Sequence, residues 1–374
     1  MSTLFTPIKL GGVTLPNRIV VAPMCQYSAN DGCMSDWHMI HIGSLAVSGA
    51  GLAMVEATGV TREGRISHGC TGMYSDDNEA AMARVVAAYR RISRAPIGVQ
   101  LAHAGRKASA QLPWGGGGAL RTTESPWETV APSARAFGDG WHTPREATGD
   151  DMRALVDAFA AAAQRALRVG FDVVEMHAAH GYLLHQFLSP VANQRTDAYG
   201  GNLDKRMHFP LEVARALRET WPKDRALGAR ISASDWLDEG AGPEDAVAFA
   251  RALKSIGFDY VCVSSGAMSP QARMKIEPGY QVGFAETVKK AVPIAVRAVG
   301  LIADPEQAEA IVSSGKADMI ALARAILDNP RWVWHAAEHF GVKIDYPPQY
   351  ARSHYSLWPG AKLARPGRSV EVAA

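Results

Sequence analysis

Short apolar runs rich in Val, Ile and Leu recur along the chain, and between them apolar residues return every three or four positions. The first pattern marks buried strands and the second amphipathic helices, so their alternation predicts β/α units around a parallel sheet. Eight strands are expected, at residues 19–23, 52–57, 97–101, 173–177, 226–231, 260–264, 294–299 and 319–322, with helices such as 150–169 and 243–255 between them. Eight such units close an α/β fold of the (β/α)8 TIM-barrel type. Two helix starts are clear. Thr148-Gly149-Asp150-Asp151 precedes an Ala-rich amphipathic run, and Asp304-Pro305-Glu306 places an N-cap before a proline at the first helical position.

Two segments break the alternation. Residues 103–148 hold PWGGGG, several prolines and no sustained periodicity, too long for an ordinary connection, and predict a lid insertion after strand three. From about residue 346, Pro347-Pro348 and Pro359-Gly360 predict an extended tail. The expected organisation is therefore a barrel over 1–345 and a C-terminal arm over 346–374.

Composition narrows the function classes. The 374 residues are 47% hydrophobic and 20% charged, as a globular protein with a sizeable core requires. With 39 basic and 37 acidic residues there is no field for nucleic acid. The N-terminal segment MSTLFTPIKLGG lacks the basic start and apolar run of a signal peptide. Nor does any stretch reach the roughly 18 apolar residues of a membrane span, so a cytoplasmic protein is expected. Cys25, Cys33, Cys70 and Cys262 have no C-x-x-C spacing, which argues against zinc-knuckle and iron–sulfur sites.

In such a barrel the chemistry sits at the C-terminal strand ends. Those ends carry Pro23, Met24, Cys25, Gln26 and Tyr27 after strand one, Gln100 on strand three, His177, His180 and Tyr182 after strand four, Arg230 on strand five, Val299-Gly300 after strand seven and Ala323-Arg324 after strand eight. Most are donors, and a ring of donors suits an electron-rich planar ligand bearing a phosphate. The Gly300 and Arg324 corner matches anion binding by backbone N–H groups and a guanidinium fork, against the plainer reading of Arg324 as a rim ion pair. His177 and His180 admit three readings: metal ligands with Glu175, two residues behind on the same strand face; donors to a developing oxyanion with Tyr182 moving a proton; or structural histidines at a barrel mouth.

Longer motifs choose among these. The run His177-x-x-His180-Gly181-Tyr182-Leu183-Leu184-His185-Gln186-Phe187-Leu188-Ser189-Pro190, followed by Asn193-x-Arg195-Thr196-Asp197-x-Tyr199-Gly200-Gly201, resembles the signature segment of Old Yellow Enzyme flavoproteins. Asn17-Arg18, Pro23 through Tyr27, Gln100-Leu101-x-His103-Ala104-Gly105-Arg106-Lys107, Ala131-Pro132-Ser133, Ala298-Val299-Gly300 and Ala323-Arg324 resemble the same family in the same order, over roughly residues 3–350. The cysteine at strand one, the H-x-x-H pair and the short arm resemble the bacterial branch that includes xenobiotic reductase A.

The resemblance implies non-covalent FMN, NADPH or NADH as hydride source, and reduction of activated alkenes (enones, enals, maleimides, nitroalkenes) through hydride from flavin N5 to the β-carbon, with no metal. Pro23, Met24, Cys25, Ala57, Gln100, His177 and Arg230 would surround the flavin ring, and Val299, Gly300, Ala323 and Arg324 its phosphate, although the family usually has glycine where Ala323 stands. His177 and His180 would bind the substrate oxygen, Tyr182 would protonate the α-carbon, and Cys25 and Tyr27 would line the pocket. Arg352 and Trp358, on an arm that resembles those reaching a neighbouring subunit, would complete the substrate site of a homodimer or homotetramer; the plainer alternative is a tail packed on its own barrel. Without a G-x-G-x-x-G after a strand, nicotinamide has no Rossmann site and would use the substrate's place.

Overall fold

Every apolar run expected as a strand forms one, and the computed structural model, which describes residues 2–364, shows why such runs are apolar throughout. A parallel strand covered by helices outside and by its neighbours' side chains inside has no wet face. Among the described residues the chain forms twelve strands. They are β1 (Ile8–Leu10), β2 (Val13–Leu15), β3 (Ile19–Val21), β4 (Leu52–Gly59), β5 (Ile97–Ala102), β6 (Val130–Ala131), β7 (Arg145–Glu146), β8 (Val173–Ala178), β9 (Ala226–Ser232), β10 (Tyr260–Ser264), β11 (Ala295–Ala298) and β12 (Met319–Leu322). Eight of them close a barrel in the order β3-β4-β5-β8-β9-β10-β11-β12, with β12 pairing back to β3 and every pair parallel.

The helices among the described residues are α1 (Asp36–Ala46), α2 (Asp76–Ile92), α3 (Gly149–Val169), α4 (Leu183–Leu188), α5 (Leu203–Thr220), α6 (Pro243–Ile256), α7 (Val282–Ala291), α8 (Pro305–Ser313), α9 (Arg324–Asp328) and α10 (Trp332–His339). Their starts follow the sequence signals. The Thr148 hydroxyl accepts from Asp151 N–H, the Asp304 carboxylate accepts from Gln307 N–H, and Pro305 opens α8.

The barrel interior is filled in layers. At its N-terminal end Leu10 and Leu15, from the β1–β2 hairpin, join Val20, Leu52, Met54, Val173 and Met319 in one apolar cluster, so the hairpin plugs the floor. Above lies a polar layer. Arg297 and Glu175, both fully buried, form an ion pair, while Gln100 Nε2 donates to Glu175 Oε1 and Tyr260 OH to Oε2, each at 2.8 Å. Room for the Tyr260 ring comes from Gly228 opposite it, where a Cβ would stand 2.2 Å from the ring. Two residues further along their strands than Glu175, Gly228 and Tyr260, the register aligns His177 with Arg230 and Arg230 with Cys262.

The 103–148 segment does follow the third barrel strand. It holds short 3-10 turns and the two-stranded parallel pair β6–β7. The expected arm begins with Tyr346 stacked on Trp334 at 4.0 Å, near Asn17 and Gly49, at the N-terminal end of the barrel. Its last part, 365–374, lies outside the described residues.

Candidate active site

On strands that are otherwise buried, the side chains at the C-terminal ends are partly open: Pro23, Met24, Cys25, Gln26, Tyr27, His180, Tyr182 and Arg230. That ring is the barrel mouth. A cleft of about 780 Å³ at the opposite end, lined by Asn17, Gly49, Arg94 and Tyr346, collects none of these residues.

Strand β8 delivers the histidines. Ala179 N–H donates to His177 Nδ1 at 3.2 Å, so the ring proton of His177 sits on Nε2. His177 Nε2 lies 3.4 Å from His180 Nδ1, and His180 Nε2 lies 2.7 Å from the Ser264 hydroxyl. Burial holds both imidazoles well below their ordinary pKa, with the Arg230 charge acting in the same direction, so both are neutral at pH 7. His180 has φ +59 and Gly181 φ +69, a left-handed corner that turns Tyr182 back over the strand end. There the Tyr182 ring stands edge-on to His177, 4.9 Å between centroids. Burial raises the Tyr182 hydroxyl well above 10, so it is a protonated donor.

Three polar groups that the motif reading left without a role hold this corner and the strand-one end. His185 Nδ1 accepts from Gly181 N–H at 2.9 Å, and its Nε2 lies 3.0 Å from Asp235 on the loop after β9. Burial alone would raise the Asp235 carboxyl, but His185 and the Ser189 hydroxyl bring it below its usual range. Lys107, in the 3-10 turn Gly105–Lys107, donates to His180 O at 2.9 Å and to Ala267 O at 3.0 Å, and its ammonium lies over the Tyr182 ring at 5.1 Å. Burial, with the neighbouring Arg106 charge, lowers this ammonium to about 7. Glu56 sits at a bulge in β4, where the register shifts between Val55 and Ala57. It accepts from Gln26 N–H at 2.9 Å and meets His38 Nε2 at 3.1 Å, holding the segment that carries Cys25 and Tyr27. The available signal for Lys107 was its place in the strand-three motif; partners 73 and 160 residues away gave none.

The metal reading fails on the same geometry. Glu175 faces inward as His177 does, but its carboxylate is taken by Gln100, Tyr260 and Arg297. Among the described residues no group of three or more His, Cys, Asp or Glu side chains could hold a metal ion.

A flavin phosphate fits better. Two arginines, Arg230 and Arg297, point into the barrel, and the one inward carboxylate described above is bound to Arg297. Arg230 Nε has no hydrogen-bond partner among the described residues. At the other side of the mouth Gly300 has φ +120, and a Cβ there would lie 2.7 Å from Gln281 Nε2. Arg324, exposed at the start of α9, makes no ion pair among the described residues, so the rim-ion-pair reading finds no partner there. Val299, Gly300, Ala323 and Arg324 are thus brought to one corner by β11 and β12, which pair side by side.

Cys25 stands at the mouth with its thiol pushed well up by burial, aided by nearby Cys70 and Glu56, and is therefore protonated. Tyr27, at φ +50, is edge-on to Trp114 of the insertion at 5.9 Å. Ala57 pairs with Gln100 across β4 and β5. Arg352 and Trp358 remain exposed on the arm, and among the described residues no hydrogen bond or ring contact joins them to the mouth of their own barrel.

Comparison with known proteins gives the family and the fold. A model of the NADH:flavin oxidoreductase / NADH oxidase family matches residues 3–342. The NADPH dehydrogenase of Geobacillus thermodenitrificans is 45% identical over 353 residues, covering 94% of this chain and 98% of that protein. The NADPH dehydrogenase of Bacillus subtilis is 40% identical over 351 residues, covering 93% and 98%. Morphinone reductase, solved in complex with tetrahydroNAD, superposes with a TM-score of 0.74 at 30% identity, covering 93% of this chain and 94% of that one.

Proposed function

Since this chain belongs to the NADH:flavin oxidoreductase / NADH oxidase family, that of Old Yellow Enzyme, and is an FMN enzyme that oxidises NAD(P)H, we propose that its second substrate is an activated alkene: an enone, enal, maleimide or nitroalkene. Bound FMN would supply the redox chemistry, the hydride transfer between NAD(P)H and the β-carbon of the alkene. Pro23, Met24, Cys25, Ala57, Gln100, His177 and Arg230 would hold its ring, Arg230 as the cation beside it. Val299, Gly300, Ala323 and Arg324 would hold its phosphate.

The observation that carries the alkene reading is the tautomer of His177. With Nδ1 engaged by Ala179 N–H, its Nε2–H is a neutral, fixed donor at the mouth. A carbonyl or nitro oxygen received by His177 and His180 draws electron density out of the conjugated C=C bond, and the negative charge that grows on that oxygen meets the His177 Nε2–H already in place. Tyr182, protonated and beside His177, gives its proton to the α-carbon. Tyr27 lines the pocket, and the neutral Cys25 thiol sets the polarity around the ring. In a homodimer or homotetramer the exposed Arg352 and Trp358 close a neighbour's mouth.

An anaerobic visible spectrum tests this. The expected result is a yellow protein that bleaches with NADPH and recovers its colour with 2-cyclohexenone; a bleached protein that no enone, maleimide or nitroalkene reoxidises overturns the alkene reading.

A further inference from the structure

For two imidazoles to donate to one oxygen, each must turn an N–H toward it. His177 does so by construction. His180 does not. Its Nδ1 faces His177 Nε2 at 3.4 Å and accepts a hydrogen bond from that N–H, so its own proton sits on Nε2, directed at the Ser264 hydroxyl 2.7 Å away. Once an oxygen takes the His177 N–H, the bare Nδ1 lone pair of His180 would face a lone pair of that oxygen, and the contact would repel.

We propose that Ser264 is a positioning residue that switches the tautomer of His180 when the substrate oxygen arrives. Ser264 ends β10 and is buried, its register partner being Ser232. Its hydroxyl donates to Gln281 Oε1 at 3.2 Å and receives His180 Nε2–H at 2.7 Å. It is free to leave the first, because Ser265 also donates to Gln281 Oε1, at 2.6 Å, and Gln281 Nε2 is anchored on Val299 O at 3.3 Å. Rotating the hydroxyl toward His180 turns Nε2 into an acceptor. The ring proton then leaves Nε2 to water and another returns at Nδ1, so no net charge changes and His180 becomes the second donor. The two imidazoles are thereby a fixed donor and an adaptable one.

This inference rests on the reading that the imidazoles receive the substrate oxygen, and the experiment separates the two. Histidine-selective 15N spectra of the FMN-loaded enzyme report which ring nitrogen carries the proton, with His177 and His180 assigned from single His→Asn variants. The probe is cyclohexanone, which has the carbonyl and no C=C bond to reduce, at a concentration that saturates its effect on flavin absorbance. The expected result is that His177 keeps Nε2–H and shifts on binding, while His180 passes from Nε2–H to Nδ1–H. In Ser264→Ala, His180 stays on Nε2–H and kcat/KM for 2-cyclohexenone falls about tenfold, the size of one good hydrogen bond, whereas Ser264→Thr restores both. If His177 shifts but His180 of the unsubstituted enzyme keeps Nε2–H, or if Ser264→Ala switches as well as the parent, the role of Ser264 is overturned and oxygen binding stands. If neither histidine responds, oxygen binding itself is overturned.

Discussion

The backbone N–H of Ala179 donates to His177 Nδ1 at 3.2 Å, so a main-chain group decides which nitrogen of that ring carries the proton. Short of proline at position 179, no substitution there takes this N–H away. Replacing His177 by Ala should therefore cut kcat for 2-cyclohexenone by about 10²- to 10³-fold, the usual loss of one oxyanion donor, in a protein that remains yellow. Steady-state kinetics with the flavin content measured in parallel gives the answer; a loss under tenfold would remove His177 from the reaction.

Tyr182 is predicted to act in only one of the two half-reactions. Tyr182→Phe keeps the ring against His177 and removes the hydroxyl. Reoxidation by 2-cyclohexenone should slow by about 10²- to 10⁴-fold, while bleaching by NADPH, which needs no proton at carbon, changes little. Stopped-flow absorbance separates the two, and equal slowing of both would mean that the phenol does not supply the proton.

Inside the barrel, Glu175→Gln leaves Arg297 buried without its anion. Breaking a buried pair on one side costs about 3–5 kcal/mol, whereas replacing both partners by apolar residues costs less. The urea midpoint, taken at one fixed excess of FMN, should drop strongly for Glu175→Gln and partly recover in Glu175→Leu with Arg297→Met. An unchanged midpoint for the single variant would show that Glu175 does not neutralise Arg297.

Stability should fall on acidification before most carboxylates titrate. Burial lowers His103 from its ordinary value near 6.5 to about 4. Between those values the unfolded chain binds the proton and the folded chain does not, so the contribution is complete above about pH 6.5 and is lost as pH falls toward 4. His177 and His180, also lowered by burial, act in the same direction. Thermal melts from pH 7.5 to 4.5 should show this decline, and it should be shallower in His103→Gln; identical slopes would place the proton elsewhere.

The barrel was legible because its strands are buried on both faces and so read as uninterrupted Val, Ile and Leu; Tyr260–Ser264 and Met319–Leu322 match their expected limits. The N-caps were legible because they are local: Thr148 meets Asp151 and Asp304 meets Gln307. Not so the β1–β2 hairpin, whose three-residue strands are too short to show a period. The groups that steady the mouth were also hidden, since His38 and Glu56, His185 and Asp235, or Lys107 and Ala267 meet only after the chain has closed on itself. The spacing of Glu175 and His177 gave their shared face correctly and left the metal reading open. Only the partners of Glu175, 75, 85 and 122 residues away, decide against it.

The joining of β12 to β3 has a meaning for how copies of this protein can meet. An open sheet ends in a row of unused main-chain donors and acceptors, on which a foreign strand can add itself; a ring has no such row. Any contact between copies along the barrel wall would therefore be made by the outer helices, the loops and the arm, since open strand edges remain only in the small β1–β2 and β6–β7 sheets among the described residues. Affinity between copies can then be tuned one residue at a time without disturbing the catalytic frame.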